Sequence, residues 1–234
     1  MDSPKQTARI AGALYFVLIL CGFFSLKYVP SKISDWDNPS VMISNLIANE
    51  TLFRFGIFVG IIGYIFFFLL PLALYKLLSP VNKTHAVLMV AFAVVSVPVS
   101  LANMLHKFDV LTLLSKAKYL SDVDTAQLHS QILLHLDYYR NGNQLASIFW
   151  GLWLFPFGYL VFKSGFLPKV IGVFLMFGCF GYVGNFIGDF LFVGYDESGI
   201  SRWITMPGSL GELGICLWLL IAGVKTQSQT ISSQ

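Results

Sequence analysis

The chemistry open to this chain rests on a few polar side chains set in or beside long apolar runs. Arg54, Asn103, His106, Asp109, Asn143, Asn185, Asp189 and Glu212 are the ones whose positions invite a function. An ionisable group inside a bilayer is costly to keep, so by default it marks a ligand site, an ion path or a proton relay. Glu212 lies seven residues into a run that starts at Thr205, about 10 Å along a helix. Asp189 lies near the end of the run before it. The expectation is that all eight collect at one depth, in or just above the outer half of the membrane. There they would line an outward-facing pocket between helices three to six, fit for a small molecule, a lipid headgroup or an ion. A second reading gives the same residues structural work. Asn103 and Asn185 would hydrogen-bond across helices, Glu212 would pair with Arg202 or Arg54, and Asp189 would meet water.

A metal centre is the enzymatic rival. His106 and Asp109 are spaced i, i+3 and share a helix face. Zinc chemistry needs three protein ligands and an open position. His129 and His135 are six residues apart, about 240° around a helix, and cannot both face one ion. HExxH, GxSxG, P-loop and GxGxxG patterns are absent. No catalytic residue, metal or cofactor is therefore expected, and a metal-dependent hydrolase stands as the alternative. A transporter would show broken mid-membrane helices and repeats. Pro71, Pro98 and Pro156 interrupt three runs, but no internal repeat is visible. Cys21, Cys179 and Cys216 each sit in an apolar run without CxxC spacing and read as small core residues.

The elements that must hold these residues follow from composition. Of 234 residues 56% are hydrophobic and only 12% charged, about half the usual charged share of a soluble domain. The formal charge of +3 forms no basic stripe, so nucleic acid is not a partner. The class is all-α: a polytopic membrane helical bundle, one domain over 1–225. Its six transmembrane helices are expected near 10–26, 55–75, 85–106, 144–163, 168–193 and 205–224. Helices three and four should extend outside the bilayer as a hairpin over 107–140, and a polar tail fills 226–234. Leu20 is too large for a lipoprotein cleavage site before Cys21, so the first span should stay attached.

The stretch from Asn141 to Lys169 sets the frame. Gln144 to Phe162 has no charge, and a core of about 30 Å needs roughly 20 apolar residues as helix. Gly165 should close that helix in a left-handed conformation and Pro168 should open the next. Asn141-Gly142-Asn143 should bend the chain as it re-enters the membrane. Earlier, Asn38-Pro39 should start a short interfacial helix carrying Val41, Leu46 and Ile47. Glu50 and Arg54 should pair at i, i+4. Gly56, Gly60 and Gly63 give span two a small-residue face.

Six spans put both termini on one side. That side, with its two short loops, carries seven Lys and Arg against Asp2 alone, while the other carries eight against nine acidic residues. The positive-inside tendency makes the terminal side cytoplasmic.

Four stretches also look familiar. They are Ala8-Arg9-Ile10-Ala11-Gly12 with Leu14-Tyr15; Asn45-Leu46-Ile47-Ala48-Asn49-Glu50 with Leu52-Phe53-Arg54; Tyr75-Lys76-Leu77-Leu78 with Pro80-Val81-Asn82-Lys83; and Phe149-Trp150-Gly151-Leu152-Trp153 through Gly158-Tyr159-Leu160 to Ser164-Gly165-Phe166-Leu167-Pro168. Together they resemble the bacterial membrane family catalogued as domain of unknown function family 4386. The resemblance implies a bacterial multi-pass protein and carries no substrate, cofactor or catalytic residue. The expected role is non-enzymatic: binding a lipid-like or small apolar ligand, or a membrane-protein partner or second copy, in a bacterial cytoplasmic membrane.

Overall fold

A computed structural model describes residues 3–115, 117–195 and 199–224, and its regular structure there is entirely helical. Helix α1 is Pro4–Phe23 and runs through a π-helical turn at Phe24–Tyr28 into α2, Val29–Ile33. Then come α3 (Pro39–Ala48), α4 (Glu50–Leu78), α5 (Lys83–Leu114), α6 (Thr125–Leu152), α7 (Leu154–Lys163), α8 (Lys169–Leu191) and α9 (Ile200–Ile221). Six helical segments are long and apolar enough to cross a membrane: Pro4–Ile33, Glu50–Leu78, Lys83–Leu114, Thr125–Lys163, Lys169–Leu191 and Ile200–Ile221. Phe58, Phe177, Phe180, Phe190, Leu191 and Ile221 are more than half exposed. A surface this apolar is at home in lipid rather than water.

Local chemistry explains the departures from regular helix. Ser25 Oγ bonds back to the Cys21 carbonyl at 2.8 Å, the i−4 contact that loosens a helix, and the π-turn lies over that point. The fourth span breaks at Trp153, between α6 and α7. Pro156 cannot donate to the residue 152 carbonyl, so the ladder is interrupted there. Pro71 and Pro98 sit inside unbroken helices. Gly165 has φ 73° and closes α7 as expected. Glu50 and Arg54 pair at 2.7 Å.

Three expectations need correction. Asn141-Gly142-Asn143 makes no bend and lies inside continuous α6. Asn38 precedes α3 but caps nothing, because its side chain bonds Asp35 Oδ1 at 3.2 Å. Leu46 of α3 turns into the protein with Met42 and Ile43, leaving Val41 and Ile47 outside. Helices α5 and α6–α7 span 32 and 39 residues. The polar tail, 226–234, lies outside the described residues.

The chain divides into two compact units. The first comprises Met1–Phe16, Phe68–Val94 and Ser147–Gln234; the second comprises Val17–Phe67 and Val95–Ala146. In the first unit Leu70, Leu74, Met89, Leu154, Phe157, Leu160 and Leu175 are fully buried, and Trp153 stacks on Phe157 at 5.2 Å. There α8 and α9 meet backbone to backbone. A Cβ on Gly178 would fall 2.6 Å from the Cα of Gly208, so only glycine allows this approach. In the second unit the glycine face of α4 meets the first span: a Cβ on Gly56 would touch Val29 and one on Gly63 would touch Cys21. Its core is Ile33, Met42, Leu46, Phe53, Met104, Val110, Ile132 and Leu136. All three cysteines are buried and free.

Candidate functional site

The polar residues singled out in sequence divide between the two units. In the first unit, Glu212 stands between two phenols. Tyr15 Oη of α1 donates to Oε1 at 3.0 Å and Tyr182 Oη of α8 donates to Oε2 at 3.4 Å. Both carboxylate oxygens are thus engaged, and among the described residues of the first unit no ion pair joins Glu212 to Arg202. Helix α9 begins at Ile200, so Glu212 is twelve residues in, about 18 Å along the axis.

The register of α8 against α9 separates Asp189 from it. Gly178 faces Gly208, Leu175 faces Gly211 and Ile171 faces Gly214. Glu212 is therefore level with residue 174, and Asp189 is 15 residues further along α8, about 22 Å away by helix rise. Asn185 is also on that far stretch of α8, and its Oδ1 is buried without a hydrogen bond. Within the first unit Glu212 is thus separated along the helices from Asn185 and Asp189.

In the second unit, Asn103 of α5 donates from Nδ2 to the Tyr139 carbonyl at 2.9 Å and to Asn143 Oδ1 at 3.2 Å. The contact explains why Asn141-Gly142-Asn143 stays helical. A Cβ on Gly142 would overlap the Asn103 amide, so glycine here makes the notch that admits the neighbouring helix. Arg54 pairs with Glu50 at 2.7 Å and stays half exposed.

His106 and Asp109 approach across the expected i, i+3 face, with Nδ1 3.6 Å from Oδ2. His135 of α6 joins them, its Nδ1 3.2 Å from the same Oδ2 and 3.4 Å from His106 Nδ1. His129 is not part of the group. The ring of Tyr138 packs against both imidazoles, with centroids 5.4 and 6.0 Å away.

Beside these lies a cleft of ≈ 180 Å³ whose walls are mostly apolar: Val29, Ile33, Met42, Phe53 and Leu136, closed by Trp36 and Tyr139. Its polar groups are Lys107, Arg140, Asn143 and Ser34. Arg140 lies over Trp36 at 4.6 Å and pairs with Asp137 at 2.8 Å. Lys107 is only 4% exposed. Its Nζ stands 4.0 Å from the Tyr139 ring centroid and 5.8 Å from that of Phe53. Among the described residues no carboxylate pairs with it. A buried cation is expensive unless paired, and ring faces return only about 0.5–2 kcal/mol. The cleft thus holds a positive charge that no described carboxylate matches.

Lys107 was not among the residues singled out from sequence. The signal was there: Ser100, Asn103, Met104, Lys107, Val110 and Leu111 recur at helical spacing and form the buried stripe of α5. A charge on that stripe is not a solvated one.

Fold and polar clusters together define a multi-pass helical membrane protein. The model of the family described as Domain of unknown function (DUF4386) matches residues 10–223, and the chain belongs to that family. A relative from Archaeoglobus fulgidus, described as "Uncharacterized protein", is 30% identical over 161 residues, 69% of this chain and 78% of its own. The expectation of a bacterial protein is thus not carried by this relative, which is archaeal. No solved structure matches the chain.

Proposed function

We propose that this protein binds an anionic amphiphile taken from the membrane, a fatty acid or an acidic lipid, in the cleft of the second unit. The headgroup would lie against Lys107, Asn143 and Arg140, and the chain along Ile33, Met42, Phe53 and Leu136. The observation that carries this reading is Lys107, a nearly fully buried ammonium with aromatic neighbours and no acidic partner among the described residues. A bound anion would offset the desolvation cost of the buried ammonium. Lys107 is 24 residues along α5 from Lys83, about 36 Å of helix. A helix placed across a core of about 30 Å would hold it at headgroup level.

The role is non-enzymatic in this reading. The short-loop charges support a cytoplasmic membrane with both termini inside, so the cleft would face outward. The test is native mass spectrometry of protein gently extracted from its own membrane. Wild type should carry a stoichiometric acidic lipid or fatty acid, and Lys107→Met should lose it while remaining folded. A bare wild-type mass, or an adduct that Lys107→Met retains, overturns the reading.

A further inference from the structure

We propose that His106, Asp109 and His135 form a three-ligand site for a divalent transition-metal ion of the zinc type, joining α5 to α6 within the second unit. The reading does not rest on the cleft or on Lys107. Its basis is the triangle of donor atoms: His106 Nδ1, His135 Nδ1 and Asp109 Oδ2, with edges of 3.2, 3.4 and 3.6 Å. Bonds of 2.0–2.1 Å in a tetrahedron place ligand atoms about 3.3–3.4 Å apart. The three separations therefore match those between ligands of one four-coordinate ion.

Both Nδ1 atoms lie near the same carboxylate oxygen and near each other. Hydrogen bonds can hold the three groups in pairs, with one Nδ1–H donating to the carboxylate or to the other ring. A cation at the centre accepts all three lone pairs at once. Two imidazoles with one carboxylate suit zinc and its first-row neighbours; magnesium and calcium prefer oxygen ligands. Tyr138 packs on both rings and limits their rotation.

The fourth position is open. The three side chains keep 28–49% of their surface exposed, so water or an anionic oxygen can complete the shell. His106 and His135 are 29 residues apart, and an ion between them would fasten the two helices to one another.

The test uses the full-length untagged protein in detergent, stripped with a chelator and titrated with Co²⁺ as a spectroscopic probe. One Co²⁺ per chain should bind with the visible bands of a four-coordinate ion, and Zn²⁺ should displace it. His135→Gln and Asp109→Asn should each weaken binding at least about 100-fold, more than loss of a supporting hydrogen bond would. His129→Ala, six residues away on the same helix, should leave it unchanged. The stripped Gln and Asn variants should melt with the stripped wild type, since the folded apo chain is common to all. Absence of Co²⁺ binding by wild type overturns the proposal, as does binding that survives in both variants or is lost equally in His129→Ala.

Discussion

The hydroxyl of Tyr15 and the carboxylate of Glu212 are 197 positions apart in the chain and 3.0 Å apart in space. The bond joins the first span to the last. Tyr15 is 1% exposed and rests on Trp153, ring centroids 6.0 Å apart. Glu212 is thereby occupied within the first unit, where it serves as a tie between helices α1, α8 and α9.

Removing one donor should therefore loosen the first unit. Tyr15→Phe should cost about 0.5–2 kcal/mol, the range of single hydrogen bonds between helices in lipid. A double-mutant cycle of Tyr15→Phe with Glu212→Met, which leaves no acceptor for the hydroxyl, read by unfolding in mixed micelles, should show coupling of that size. Additive effects would refute the tie.

Gly142→Ala should be costly although alanine is the better helix former. The new methyl would overlap the Asn103 amide, and overpacking of this kind costs about 1–3 kcal/mol. Trimming the neighbour should restore most of it, so Asn103→Ala with Gly142→Ala should melt above Gly142→Ala alone.

Lys107→Met keeps the apolar stem and removes the charge. The ligand-free protein should hold its stability or gain about 1–2 kcal/mol, as when buried charges give way to hydrophobic residues. Thermal unfolding of delipidated protein measures this. A clear loss would mean that the ring contacts repay the buried ammonium in full.

Glu50→Ala should matter little. The Glu50–Arg54 pair is well formed at 2.7 Å, but its side chains are 37% and 51% exposed. Such surface pairs contribute under about 1 kcal/mol, and the same unfolding assay should barely register the change.

What could be read from sequence was local or set by length. The six spans follow from uncharged runs that match the bilayer. Gly165, the Glu50–Arg54 pair and the shared face of His106 and Asp109 follow from spacings within two turns. What could not be read depends on how one helix slides against another. His135 reaches His106 only through the register of α6 on α5. Glu212 meets Tyr15 and Tyr182 only through the packing of α9 against α1 and α8. Asn141-Gly142-Asn143 has the composition of a turn, yet a glycine between two asparagines is also what a close helix crossing needs when the neighbour presents an amide.

The meeting of Gly178 with Gly208 has a bearing on how this family would be surveyed. A seam made of main chain admits no replacement, since every other residue brings a Cβ to a place already filled. A saturation scan would show the two positions as intolerant as any reactive group. Neither carries a functional group at all. Intolerance there would record steric exclusion, and a search for chemistry guided by sensitivity alone would be drawn to a place where none happens.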